Sequence, residues 1–290
     1  RDSTGGGGGG GGFTQDVRSR RLSQTEARAR AWELTRRMTL AEKMRMVVGV
    51  GWRQYAVQPG FYVGNIPAIP HLGVPSINMQ DGPQGFRTLD ARLVGTVTAW
   101  PCMLAVGATW DAGLAREYGA GLGREFRTKG ANVILGPSVN VHRVPRNGRN
   151  GEYLSGEEPL LGAVLGAAVV RGTQAEGVAA TVKHFVLNSQ ETNRNTQASE
   201  VDARTLHEVY YPPFAAAVAA GVASVMCSYN RVRSSAQPAG LYEHACGNAQ
   251  VLQTDLKGEM GFDGWVMSDW WAVHDGGAAA AGVDQELPGT

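Results

Sequence analysis

The feature that most constrains this chain is a repeated alternation. Short apolar runs, many rich in β-branched residues, stop at polar, chemically capable residues and hand over to longer helical segments. The runs are Val74 to Met79, Leu104 to Ala108, Asn132 to Leu135, Val178 to Phe185, Ser224 to Ser228, Trp265 to Ser268 and Val283 to Leu287. Helical segments lie between them, at Asp111 to Lys129, Pro159 to Glu176 and Asp202 to Ala220. In the first, Leu114, Tyr118, Leu122 and Phe126 recur at four-residue spacing, one face of a helix. Nearly continuous apolar strands alternating with helices predict a parallel sheet covered by helices. The run ends choose between architectures: Gln80-Asp81, Gly136-Pro137, Lys183-His184, Ser228-Tyr229, Ser268-Asp269 and Glu286. Polar residues at almost every strand end suit a site on the top face of a barrel. A doubly wound sheet would gather them at one or two crossover points. The predicted fold is therefore α/β, a parallel (β/α) barrel of TIM type.

The remaining totals narrow the function. A length of 290 residues allows one large domain or two modest ones, and 43% hydrophobic with 18% charged residues is globular composition. A net charge of +1 gives no reason to expect nucleic acid or an anionic membrane as partner. Apolar stretches such as Ala215 to Met226 fall short of the roughly 18 to 20 residues that span a bilayer. The histidines and cysteines show no CxxC or HExxH spacing, so no metal is expected. Cys227 and Cys246 can pair in an oxidising compartment, or all three thiols can be free; spacing does not choose. The run Gly5 to Gly12 cannot hold a fixed backbone, so residues 1–24 read as a flexible leader and 25–290 as the folded domain. Ala27 to Arg37 is helical in composition, and Thr39-Leu40-Ala41-Glu42 fits a capping box opening a second helix. The glycines of Gly119 to Gly123 fall inside a helical segment with no strand leading in, which argues against a dinucleotide loop.

Four clusters could carry chemistry. Asp269 ends an apolar run and is followed by Trp270 and Trp271. A lone carboxylate there is more often a cap, but aromatic faces stack on sugar C–H faces, and a carboxylate beside them suits an oxocarbenium-like transition state. Lys183-His184 ends another run; neighbours on a strand point to opposite faces, so a shared ligand requires the strand to be ending there. Asp81-Gly82-Pro83-Gln84-Gly85 is a turn led by a carboxylate, ordinarily a plain Asx turn. The segment Gly136 to Pro159 carries Arg143, Arg146, Arg149, Glu152, Glu157 and Glu158. Such a mixed cluster is usually a solvated network, yet the segment exceeds the usual βα loop, and long loops tend to be functional.

Together these segments resemble the N-terminal domain of glycoside hydrolase family three, the β-glucosidase family. Asp81-Gly82-Pro83 matches its DGP turn and RNGRNGEYLSGEEP its arginine–glutamate loop, with Glu158 where Asp is usual. Val182 to Phe185 matches its KH motif, Met226 to Asn230 its MCSYN strand, Gly261 to Trp270 its GFDGxVMSDW segment, and Met38 to Lys43 its opening helix. The resemblance implies a retaining glycosidase that needs no cofactor. Asp269 would be the nucleophile and Trp270 would shape the leaving-group subsite. Asp81, Arg149, Lys183 and His184 would hold the sugar hydroxyls, with Met226 and Tyr229 lining the pocket. Lysine and arginine nearby are expected to lower the nucleophile's pKa and keep it ionised. The Asp of the DGP turn goes with glucose, so the expected substrate is a β-glucoside or oligosaccharide. A xylosidase or broad exo-glycosidase of the same family, or a non-catalytic sugar-binding relic, are the alternatives. Arg231 to Asn248 departs from the family's usual NG-containing turn, and Trp271 stands where glycine is common. In multi-domain members the acid/base glutamate comes from the next domain, and Val186 to Glu191 does not match the histidine loop of single-domain members. The barrel is thus expected to be C-terminally incomplete, its last helix and a C-terminal partner domain of the same chain lying beyond Thr290. Secretion is expected from what such enzymes degrade; no N-glycosylation sequon or signal peptide supports it.

Overall fold

The computed structural model describes residues 22–88, 90–234, 238 and 240–289. The leader read from residues 1–24 lies almost wholly outside them. The chain divides between Thr39 and Leu40 into two units. In the first, helix α1 (Gln24–Arg37) starts at Ser23, whose hydroxyl accepts from the Glu26 N–H while the Glu26 carboxylate accepts from the Ser23 N–H. That reciprocal cap, with Arg36 and Arg37 at the negative end of the helix dipole, fixes the helix ends locally.

The second unit opens with α2 (Leu40–Val47) and is built on a six-stranded sheet. Its strands are β1 (Gly64–Ile66), β2 (Ile77–Asp81), β3 (Val133–Leu135), β4 (Ala179–Phe185), β5 (Ser224–Cys227) and β6 (Trp265–Ser268), hydrogen-bonded in the order β6-β5-β4-β3-β2-β1. From β2 to β6 every pairing is parallel, as the sequence predicts. β1 runs antiparallel to β2, so the sheet is mixed, and it curls into a half-barrel, not the complete parallel barrel expected. The run Val283 to Leu287 forms no ladder. It meets β6 through the single bridge Met267–Gln285, and Glu286 bridges to Val48.

Period-two alternation sorts the strand residues. Val133, Leu135, Met226 and Met267 point inside the curl, where they pack with Val63, Met79, Trp270 and Leu287. Ile134, Val182, Val225 and Val266 point outward to a larger core under the helices α4 (Ala112–Thr128) and α5 (Pro159–Ala175). Tyr118, Leu122 and Phe126 of α4 are buried there, but Leu114, of the same predicted face, is exposed.

Two predicted elements differ. Leu104 to Ala108 is not a strand: Met103–Gly107 forms the short helix α3. A brief apolar run is too short for its period to decide the state; here Met103, Val106 and Gly107 are buried and Leu104 and Ala105 exposed. Asp202 to Ala220 is not one helix. It breaks into Ala203–Thr205, a wide π turn at Leu206–Tyr210 and α6 (Pro212–Ala219), because Pro212 and Pro213 donate no backbone hydrogen bond to a preceding turn.

The glycine-rich stretch of α4 serves packing. A Cβ at Gly119 would stand 2.4 Å from the Val169 carbonyl oxygen, and one at Gly121 would meet the Trp100 ring at 2.4 Å. The opposing helix answers with Gly172, where a Cβ would lie 2.0 Å from the Arg116 carbonyl oxygen. Backbone-to-backbone contact of α4 and α5 is what these residues permit.

Candidate active site

A pocket of about 850 Å³ opens at the C-terminal ends of the parallel strands. It is lined by all eight residues singled out from sequence: Asp81, Arg149, Lys183, His184, Met226, Tyr229, Asp269 and Trp270. Each is delivered by a different local device.

Asp81 closes β2, and Gly82 makes the turn after it at φ 148°, where a Cβ would overlap the Gly85 carbonyl. The buried Gln80 side chain accepts from the Val63 N–H at 3.0 Å and donates to the Arg87 carbonyl at 2.6 Å, fastening this turn to β1. Lys183 and His184 both face the pocket although β4 continues through Phe185. The strand does not end at them, as the sequence reading required; instead its register against β5 shifts between Lys183 and Phe185. Such an irregularity re-aims a side chain.

The long segment 136–158 is the scaffold for His184. The Asn140 side chain accepts from the His184 N–H at 2.7 Å and donates to its carbonyl at 3.0 Å. Tyr153 Oη meets His184 Nδ1 at 2.8 Å. The same segment supplies Arg149, which is held bidentately by Glu152 at 2.8 and 3.0 Å. Trp270 is fixed by its indole N–H, which donates to the Val63 carbonyl at 3.3 Å; Trp52 donates to the same oxygen at 2.5 Å.

The pocket floor is a chain of alternating charges. Lys183 Nζ lies 3.0 Å from Asp81 Oδ1 and 3.4 Å from Glu152 Oε1. Arg87 reaches the other Asp81 oxygen at 3.3 Å, and Arg149 also meets Glu191 at 3.4 Å. Burial alone would discharge Lys183, but the Asp81 and Glu152 carboxylates together hold its pKa above the ordinary value. Burial likewise opposes the charge of Glu152, yet Lys183 and Arg149 keep its carboxyl well below the usual range. His184 is different. Burial, then Arg149 and Lys183, push it well below the usual imidazole value, so the ring is neutral at pH 7.

Asp269 is 7% exposed. Its Oδ1 accepts from the Trp270 N–H at 2.8 Å. Oδ2 lies 3.4 Å from His184 Nε2 but out of hydrogen-bonding geometry, and with a neutral ring this contact is no ion pair. Oδ2 is thus a buried carboxylate oxygen without a hydrogen-bond partner among the described residues. The expectation that lysine and arginine would lower this pKa is corrected. Burial raises it, and outweighs the opposing influence of Lys183, Arg149, the Trp270 N–H and the Tyr229 hydroxyl.

Several lining residues escaped the sequence reading as ligand contacts: Trp52, Tyr55, Arg87, Glu152 and Arg194. Arg194 stacks its guanidinium over the Tyr229 ring at 4.1 Å and pairs with Glu191 at 2.8 Å. Glu152 stood in the quoted loop, and Arg87 lies six residues past Asp81, but nothing in their spacing announces ion pairs across the sheet. Behind the pocket wall, Cys227 at the end of β5 is disulfide-bonded to Cys246, and Cys102 is free. Among the described residues no group of three or more His, Cys, Asp or Glu is arranged to hold a metal, and no helix is long and apolar enough to cross a membrane.

Comparison with known proteins agrees with the motifs. Residues 70–286 match the Glycosyl hydrolase family 3 N terminal domain. The probable beta-glucosidase E of Aspergillus fumigatus is 43% identical over 274 residues, covering 91% of this chain and 25% of its own length. A probable beta-glucosidase of Arthroderma benhamiae is 42% identical over 285 residues, covering 87% of the chain and 33% of the relative. Among solved structures, the beta-glucosidase DesR of Streptomyces venezuelae, in complex with D-glucose, superimposes with a TM-score of 0.80 at 39% identity, over 90% of this chain and 31% of that one. The beta-D-glucoside glucohydrolase of Trichoderma reesei gives 0.80 at 40% identity, over 91% and 35%. The chain spans a quarter to a third of the length of these curated relatives. It belongs to glycosyl hydrolase family 3, and the part of that family it carries is the N-terminal domain.

Proposed function

We propose that this chain is the nucleophile-bearing domain of a retaining β-glucosidase, with Asp269 forming the covalent glycosyl-enzyme. The observation that carries the reading is the Asp269 Oδ2, which no hydrogen bond from the described residues holds, on a pocket floor where Lys183 is paired with Asp81 and Arg149 with Glu152. A nucleophile needs a free lone pair, and a neutral His184 ring beside that oxygen does not tie it up in an ion pair. Its raised pKa fits a carboxylate whose charge is relieved on bond formation to an anomeric carbon. Asp81, Lys183, Arg149 and His184 are grouped to bind the hydroxyls of one terminal sugar, where charged groups give the stronger hydrogen bonds. Met226 and Tyr229 line the same cavity, and Trp270 stands beside Asp269 on the leaving-group side.

A retaining mechanism also needs an acid about 5 to 5.5 Å from the nucleophile. The pocket's other carboxylates, Asp81 and Glu152, are both committed to ion pairs, and Glu152 is held ionised. The acid is therefore assigned to a partner segment of the same protein outside the described residues. Glucose is favoured over xylose by Asp81, the carboxylate of the DGP turn, which lines the pocket, and by relatives named as beta-glucosidases. The Cys227–Cys246 disulfide favours an oxidising, extracellular setting. The test is proton NMR of the intact protein hydrolysing an aryl β-glucoside. β-Glucose as the first-formed anomer is expected; α-glucose first would overturn the retaining mechanism.

A further inference from the structure

The turn that presents Asp269 holds a side chain its backbone disfavours. The Asp269 carbonyl accepts from the Ala272 N–H at 3.1 Å, which puts Trp270 and Trp271 at the centre of a four-residue turn. Trp271 adopts φ 61° there. A positive φ at the third position of a turn calls for glycine or asparagine, because a Cβ crowds the backbone. The conformation is pinned, since the Trp271 N–H donates to the Leu287 carbonyl at 3.0 Å. Nor does core burial compensate, for Trp271 is 39% exposed and lines the pocket. Its ring packs edge-on to Trp52 at 5.2 Å and tilted against Tyr55 at 5.1 Å. Tyr55, at φ 64° with Gln54 at 49° in the two-residue hairpin turn between Arg53 and Ala56, is 80% exposed and lines the same pocket. An exposed tryptophan held in left-handed backbone at a pocket edge, with a second exposed ring packed against it, is an outlier from which a functional inference properly starts.

We infer that Trp271 and Tyr55 form an aromatic shelf beside the Trp270 indole that selects substrates whose leaving group carries a flat apolar face. That face is an aryl ring or the C–H side of a further pyranose. The inference rests on the reading of Asp269 as nucleophile and adds to it the residues that set leaving-group preference. Stacking of this kind changes binding by about fivefold per ring.

The test compares covalent labelling of the intact protein by two activated fluoro-glucosides, one leaving fluoride and one leaving dinitrophenolate. Trp271→Gly suits the positive φ at this position; Tyr55→Ala is the second variant. Each should slow labelling by the dinitrophenyl reagent about fivefold and leave labelling by the fluoride reagent within about twofold. A parallel rise in KM for a glucobioside or a glucotrioside assigns the shelf to a further sugar. An effect confined to the aryl reagent assigns it to aromatic aglycones. Equal changes with both reagents, or none with either, overturn the shelf while the nucleophile stands. Wild-type protein labelled by neither reagent overturns the nucleophile reading and the shelf with it.

Discussion

The interface of α4 with α5 and the floor of the pocket are both buried, yet they are built in opposite ways. At the helix interface Gly119 and Gly172 remove side chains until backbones touch, and charge enters only at its end, where Arg124 and Arg127 meet Glu176. At the floor Lys183, Asp81, Glu152 and Arg149 bring charges into the interior and pair them, leaving one oxygen of Asp269 outside the network. Stability alone favours the first solution, since a buried ion network is often no better than apolar packing of the same volume. The second makes sense where the charges have a ligand to hold.

Lys183→Met should have the largest effect. It removes the buried cation shared by the half-buried Asp81 and Glu152, each of which keeps an arginine partner, and is expected to cost about 3 kcal/mol of stability by thermal or denaturant unfolding. A loss below about 1 kcal/mol would show that the floor is not held by its charges. Gly172→Val should come next, costing about 2–3 kcal/mol through overpacking, with labelling per folded molecule unchanged. A drop in labelling there would mean the two regions are coupled. Asp269→Asn should act in the other direction. A carboxyl whose folded pKa is raised holds its proton more tightly when folded, so its contribution to stability falls as pH rises from the ordinary carboxylate value through the folded pKa. The Asn variant should therefore have the higher Tm near neutral pH, with the difference shrinking in acid. The wild-type labelling rate should fall as pH drops through that same raised value. The smallest effect is expected at the exposed Arg204–Glu208 pair, where Arg204→Ala should change stability by about 0.5 kcal/mol or less.

The sequence made the pocket-lining residues legible because most sit in a short motif near a strand end and Arg149 in a long charged loop, and the structure brings all eight into one pocket. Strands covered on both faces were legible as apolar runs; α3 was misread because a five-residue apolar run is too short for its period to show, although Leu104 is exposed. β1 is three residues long, too short for a period to show, so its antiparallel direction and the mixed sheet were not visible. The register shift in β4 was equally silent, although it is what turns both Lys183 and His184 inward. The sign of the Asp269 shift was missed because neighbouring charges can be counted from motifs but burial cannot. Trp271 was visible as a departure from the family pattern; only its φ and its ring neighbours give that departure a meaning.

The most direct measurement is intact mass after incubation with an activated fluoro-glucoside, followed by peptide mapping. The reagent needs little help from an acid, so it reports on the nucleophile alone. One glucosyl adduct per chain, on Asp269 and lost in Asp269→Ala, is the predicted result. Folded protein that takes up no adduct, or carries it on another residue, would contradict the assignment of Asp269.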